Sequence, residues 1–127
     1  MPEKKVERDL VAVIDDDESV RESLPDLLRE FGYAVRGFAS AEEFLDEDHV
    51  DRVKCLILDI ALPGMSGPDL QLELRHRGWE IPIIYITAQT DETIGPRMVE
   101  HGAVACLRKP FSEKTLIEAL DAAIGAR

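Results

Sequence analysis

At 127 residues the chain is of single-domain size, long enough to bury about two-thirds of the surface its unfolded form would expose, so a core needs neither disulfide nor structural metal. Its 26 acidic residues against 15 basic ones leave a net charge of −11, which repels phosphate backbones and anionic lipid and argues against direct nucleic-acid or membrane-surface binding. No run approaches the ~20 apolar residues of a membrane span and Met1 to Arg8 contains no apolar signal core, so the expected location is cytoplasmic.

After a polar lead-in, Leu10-Val11-Ala12-Val13-Ile14 reads as a strand buried on both faces, and it runs straight into Asp15-Asp16-Asp17-Glu18. Val20, Leu24, Leu27, Leu28 and Phe31 then recur at helical spacing up to Gly32, a natural left-handed cap. Pro25 falls inside that pattern, where a missing N–H and a crowded turn cost about 3 kcal/mol, so a kink or a late start is expected. Tyr33 to Phe38 is a short strand, expected near a sheet edge because of Arg36 and Gly37.

Ser40-Ala41-Glu42-Glu43 is a capping box that opens a second helix with Phe44 and Leu45 facing inward. The next apolar run, Val53-Lys54-Cys55-Leu56-Ile57-Leu58, stops on Asp59 and is followed by the turn signal Pro63-Gly64. Pro68 and Asp69 open a third helix carrying Leu70, Leu72 and Leu74 and ending near Gly78. Ile81 to Ile86 is a fourth strand leading into Thr87-Ala88-Gln89. Between Asp91 and His101 only Ile94, Met98 and Val99 keep helical spacing and Gly95-Pro96 interrupts it, so a short or irregular element is expected. Ala103 to Leu107 is a fifth strand, Arg108-Lys109-Pro110-Phe111 the loop after it, and Ser112 caps a last helix that buries Leu116, Ile117, Leu120 and Ile124. Five strands alternating with helices specify an α/β fold, a doubly wound parallel sheet with right-handed crossovers, built as one domain over residues 1–127. Cys55 and Cys106 lie in apolar runs without CxxC spacing and are expected as two buried thiols.

In such a sheet all strand ends face one edge, so Asp15, Asp16, Asp59, Thr87 and Lys109 should converge there. Close carboxylates repel by as much as ~4 kcal/mol per pair, so the cluster calls for a cation; hard oxygen ligands without nearby histidine or thiolate favour Mg²⁺, with Mn²⁺ the other candidate. Asp59 can then act as a covalent nucleophile toward phosphorus, Lys109 as a point charge and Thr87 as a hydroxyl donor for phosphoryl oxygens.

Four segments carry a closer likeness: Ile14-Asp15-Asp16-Asp17-Glu18, Leu58 to Gly67, Ile86-Thr87-Ala88 and Arg108-Lys109-Pro110-Phe111. In order and separation, from about residue 9 to about residue 124, the chain resembles the receiver domain of two-component response regulators. The resemblance implies a flavodoxin-like (βα)5 fold, with a five-stranded sheet of order 2-1-3-4-5, and phosphoryl transfer to Asp59 from a histidine kinase or histidine phosphotransferase. It implies that Asp16, Asp59 and the backbone carbonyl of Ala61 ligate Mg²⁺, that Asp15 acts through water, and that Thr87, Ala88 and Lys109 form the phosphate-binding and switching positions. It also implies a cis Lys109-Pro110 bond and a phosphoacceptor that assists its own phosphorylation and dephosphorylation rather than a conventional enzyme. Output would pass to a partner protein or detached effector domain, or through phosphorylation-dependent dimerisation; a stand-alone receiver is expected, with a trimmed transcription factor the alternative. Two positions depart from the family: Cys106 stands where a switching Tyr or Phe is usual, and Gly95-Pro96 breaks the fourth helix, part of the usual output face.

Two rivals are weaker. A haloacid-dehalogenase-type phosphatase also uses an aspartyl nucleophile with Mg²⁺ but needs an acid two residues later, where Ala61 stands. A flavin carrier on the same fold needs a phosphate-cradling loop after the first strand, where this chain has acids.

Overall fold

The computed structural model describes residues 8–48, 50–88 and 90–125. The segment before Arg8, and Gln89 of the loop after the fourth strand, lie outside the described residues. Five strands, β1 (Leu10–Ile14), β2 (Ala34–Phe38), β3 (Val53–Asp59), β4 (Ile83–Thr87) and β5 (Ala105–Arg108), form one sheet of order β2-β1-β3-β4-β5. Every pairing is parallel. They alternate with α1 (Glu18–Glu30), α2 (Ala41–Leu45), α3 (Gly67–His76), α4 (Ile94–Glu100) and α5 (Glu113–Ile124), with a 3-10 turn at Val50–Arg52. Among the described residues no helix is long and apolar enough to cross a membrane.

Alternation along the strands divides the core into two layers. Val11, Val13, Ile57, Ile84 and Ile86 pack with Leu24 and Leu28 of α1 and Leu116 and Leu120 of α5. Ala12, Ile14, Leu56, Leu58 and Tyr85 face the other way, against Phe44 of α2 and Leu70 and Leu74 of α3. Both faces are therefore covered, as the uninterrupted apolar runs required.

Several local expectations are corrected. α1 does not start late: Asp17 caps it by accepting from the Ser19 amide, and a single helix runs through Pro25. Burial of Leu24 and Leu28, worth about 1.5–3 kcal/mol each, offsets the proline's cost. Phe31 is 46% exposed because it sits past the helix end, where the chain turns away through Gly32 at φ 94°. Leu72 points outward, 53% exposed. Glu43 completes the cap at Ser40 by accepting from the Ala39 amide rather than from Ser40 itself. Gly95-Pro96 does not break α4; it lies in its first turn, whose amides have no intrahelical acceptor, so proline removes no bond there. α4 is nevertheless short and buries none of its residues, as its weak pattern predicted. Cys55 is fully buried and burial pushes its thiol up to about 12, whereas Cys106 is only partly buried.

Candidate functional site

The site sits where the sheet's connections diverge. β1 and β3 are neighbours, but α1 follows β1 to one face and α3 follows β3 to the other, opening a crevice beyond the two strand ends. Asp15 and Asp16 enter it from β1 and Asp59 from β3. One carboxylate oxygen from each lies within 4.8 Å of the others. Lys109 reaches in from β5, its Nζ 2.7 Å from Asp15 Oδ2 and 3.6 Å from Asp59 Oδ2.

Each side chain is held differently. Asp15 is fully buried; its Oδ1 accepts from the Asp17 amide at 2.9 Å and its own amide donates to the Phe38 carbonyl. Asp59 is 7% exposed, and its Oδ1 accepts from the Ala61 amide at 3.1 Å. Asp16 is exposed and, among the described residues, its carboxylate has no hydrogen-bond or ion-pair partner. Thr87, the last residue of β4, is buried, and its carbonyl accepts from the Lys109 amide at 2.8 Å, tying the β4 and β5 exits together. Ala88 is exposed just beyond it. The Lys109-Pro110 bond is cis.

Among the described residues three carboxylates, Asp15, Asp16 and Asp59, meet one ammonium there, and the imbalance shows at Asp59 and Lys109. Burial first, then the charge of Asp15, pushes the Asp59 carboxyl up to about 6, against the opposing pull of the Ala61 amide and Lys109. Burial alone would lower the Lys109 ammonium, but its bond to Asp15 and the charges of Asp59 and Asp15 raise it overall. With oxygens within 4.8 Å and an effective dielectric near 20, the buried pair Asp15 and Asp59 repels by roughly 3 kcal/mol when both are ionised, and the exposed Asp16 adds less because water screens it. An all-oxygen donor set, one member open to solvent, fits a hard divalent cation. Ala61 stands where a dehalogenase-type phosphatase needs its second acid, so no general acid is found there.

The sequence matches the family model described as the response regulator receiver domain over residues 11–121. The chain belongs to that family. It is 44% identical over 114 residues to nodulation protein W of Bradyrhizobium diazoefficiens, covering 90% of this chain and 50% of that one. It is 39% identical over 115 residues to the response regulator protein TodT of Pseudomonas putida, covering 91% and 51%. The crystal structure of FixJ-N superposes with a TM-score of 0.84 at 34% identity, covering 96% of this receiver and 98% of that chain. The chain thus spans about half the length of the curated relatives it matches. It is a flavodoxin-like receiver domain of the two-component type.

Three parts of this receiver's site escaped the sequence. Arg21, in α1, donates from Nη1 to the Asp15 carbonyl at 2.9 Å. Glu42, in α2, accepts from the Met65 amide at 3.0 Å and so holds the loop after β3 from across 23 residues. Gly67 lies so close to β3 that a Cβ there would stand 2.7 Å from the Asp59 carbonyl oxygen. Only Gly67 carried a signal, a glycine directly after Ser66, whose hydroxyl caps α3 by accepting from the Asp69 amide.

Proposed function

We propose that Asp59 is the phosphoacceptor of a single receiver domain spanning residues 1–127. The observation that carries this reading is one buried carboxylate held beside two others and a lysine at the mouth of the sheet. A carboxylate oxygen of Asp59 attacks phosphorus and forms the P–O bond of an acyl phosphate; the P–N bond of the donor phosphohistidine breaks, and its electron pair stays on the imidazole nitrogen. Lys109, already 3.6 Å from Asp59, meets one phosphoryl oxygen, and the Thr87 hydroxyl meets another with the Ala88 backbone beside it. The Ala61 amide keeps Asp59 Oδ1 engaged, leaving Oδ2, on the Lys109 side, as the attacking atom. Mg²⁺ (or Mn²⁺) held by Asp16, Asp59 and the Ala61 carbonyl, with Asp15 through water, would supply charge neutralisation on the phosphoryl oxygens.

On this reading the domain acts in the cytoplasm, where ATP-fed phosphohistidine donors operate, and assists its own phosphorylation and dephosphorylation without being a conventional enzyme. A histidine kinase or histidine phosphotransferase is the donor. The phosphorylated form signals through a partner protein, an effector domain or a second copy. Relatives include proteins named as transcriptional regulators, but a net charge of −11 makes this domain itself a poor DNA ligand, so any such output passes through another domain. Incubation with acetyl phosphate and Mg²⁺ should give one phosphoryl adduct by intact mass, absent in Asp59→Asn. Labelling of that variant at the wild-type rate would move the nucleophile to Asp15 or Asp16.

A further inference from the structure

The exposed Asp16 raises a mechanical question: a ligand with no side-chain partner among the described residues can be aimed only by its backbone. The loop Asp15-Asp16-Asp17 is pinned at both flanks, by the Asp15 amide on the Phe38 carbonyl and by the Asp17 amide on Asp15 Oδ1. The peptide plane between Asp15 and Asp16 sets the direction in which Asp16 leaves the chain, and its carbonyl is held by Arg21 Nη1 at 2.9 Å. Arg21 is partly buried, and its Cβ lies beside Gly37 of β2, the strand paired with β1, from where its guanidinium reaches that carbonyl.

We infer that Arg21 is a positioning residue for the divalent cation, orienting Asp16 through the Asp15 carbonyl. This rests on the proposed role of Asp16 as a metal ligand. The sign of the effect separates it from electrostatics. Removing a positive charge beside a cation site should tighten Mg²⁺ binding by Coulomb's law alone. Losing the outer contact that orients a ligand weakens it, commonly by tenfold or more.

Arg29 provides an internal control. It lies two turns further along α1 and makes the same kind of bond, from Nη2 to the Val35 carbonyl of β2 at 3.3 Å, but away from the acidic loop. The experiment is a Mg²⁺ titration of the full chain, read by calorimetry and by the rise in melting temperature. Arg21→Ala should weaken Mg²⁺ binding about tenfold, Arg21→Lys less, and Arg29→Ala not at all. Unchanged or tighter binding in Arg21→Ala overturns the inference. Equal weakening in Arg21→Ala and Arg29→Ala also overturns it, because α1 would then be loosening as a whole. If Arg21→Ala does not fold, Arg21→Gln is put to the same criteria. Asp16→Asn that binds Mg²⁺ like wild type overturns the metal-site reading itself, whereas loss in Asp16→Asn with wild-type binding in Arg21→Ala overturns only the role of Arg21.

Discussion

Replacing Asp59 by asparagine should stabilise the metal-free domain, although the exchange removes a charge next to a lysine. The carboxyl is pushed up from 3.8 to about 6, chiefly by burial and then by Asp15, which, with screening by solvent at the open mouth of the site, corresponds to a penalty on the order of 1–3 kcal/mol when Asp59 is ionised. A raised carboxyl means that the folded state binds the proton more tightly than the unfolded one. The penalty is therefore complete above the folded value of about 6, shrinks as pH falls toward 3.8, and is absent below that. Asparagine mimics the protonated form: its carbonyl can keep the Ala61 amide, and its NH₂ can face Asp15. At about pH 7.5 in EDTA, Asp59→Asn should be more stable by about 1–3 kcal/mol, a rise of about 1–2 M in urea midpoint; at about pH 4.5 only about 1 kcal/mol should remain. Urea titrations followed by Trp79 fluorescence and far-ultraviolet circular dichroism at the two pH values provide the assay. A variant no more stable than wild type at the higher pH would show that Lys109 already neutralises Asp59, and an advantage independent of pH would show that the gain does not come from the Asp59 charge; either result refutes the reasoning.

The same repulsion predicts that Mg²⁺ stabilises wild type by about 2.7 kcal/mol at one hundred times its dissociation constant, and that Asp16→Asn blunts this; a melting temperature indifferent to millimolar Mg²⁺ in both proteins would refute it. Gly67→Ala should destabilise by about 1–3 kcal/mol, because its Cβ would meet the Asp59 carbonyl at 2.7 Å and the Tyr85 ring at 3.0 Å, and the backbone atom cannot yield as a side-chain tip would; chemical denaturation with an unchanged midpoint would count against that packing. Tyr85→Phe should lower stability by about 1–3 kcal/mol, since it strips the 2.6 Å donor from the buried Gln71 carbonyl oxygen; an unchanged urea midpoint would mean that water replaces the hydroxyl.

Strand ends were legible because chemistry and topology coincide: a doubly buried apolar run has one exit, and in a parallel sheet all exits share an edge. Asp15, Asp59 and Lys109 were therefore placed by counting strands. β4 and β5 start two residues and end one residue later than the apolar runs at 81–86 and 103–107 suggested, because the ladder pairs Ile84 with Ala105 through Thr87 with Arg108, a register that composition does not encode. Gly95-Pro96 misled because proline's effect depends on its distance from the helix start, which periodicity locates only to within a turn; at Pro25, deep inside α1, the late start was wrong because burial of Leu24 and Leu28 offsets the proline's cost. Arg21 and Glu42 were invisible for a further reason: each bonds a backbone atom of another segment, and nothing in an arginine or glutamate on a polar helix face names that partner.

The cysteine at position 106 gains its meaning from the neighbouring strand. Cys106 pairs in register with Tyr85, so the two side chains lie side by side on the face covered by α3 and α4, with Thr87 two residues further along β4 on the same face. Aromatic volume absent from β5 is thus supplied by β4, but in a fixed form: Tyr85 is fully buried, its hydroxyl donates to Gln71, and Gln71 Nε2 in turn donates to the His101 carbonyl at the end of α4. A ring so tethered cannot exchange between inward and outward rotamers. On the proposed reading, a bond from the Thr87 hydroxyl to a phosphoryl oxygen contributes about 1.5–3 kcal/mol, enough to shift a two-state population at least tenfold, and it must act by moving the β4 exit and α4. α4 suits that role, since none of its residues is buried. Amide exchange with beryllium fluoride in place of the phosphoryl group should change mainly between residues 87 and 101, the change should survive Cys106→Ala, and Tyr85→Phe should reduce its α4 portion. If Cys106→Ala erases the change while Tyr85→Phe leaves it whole, the thiol and not the tyrosine carries the signal.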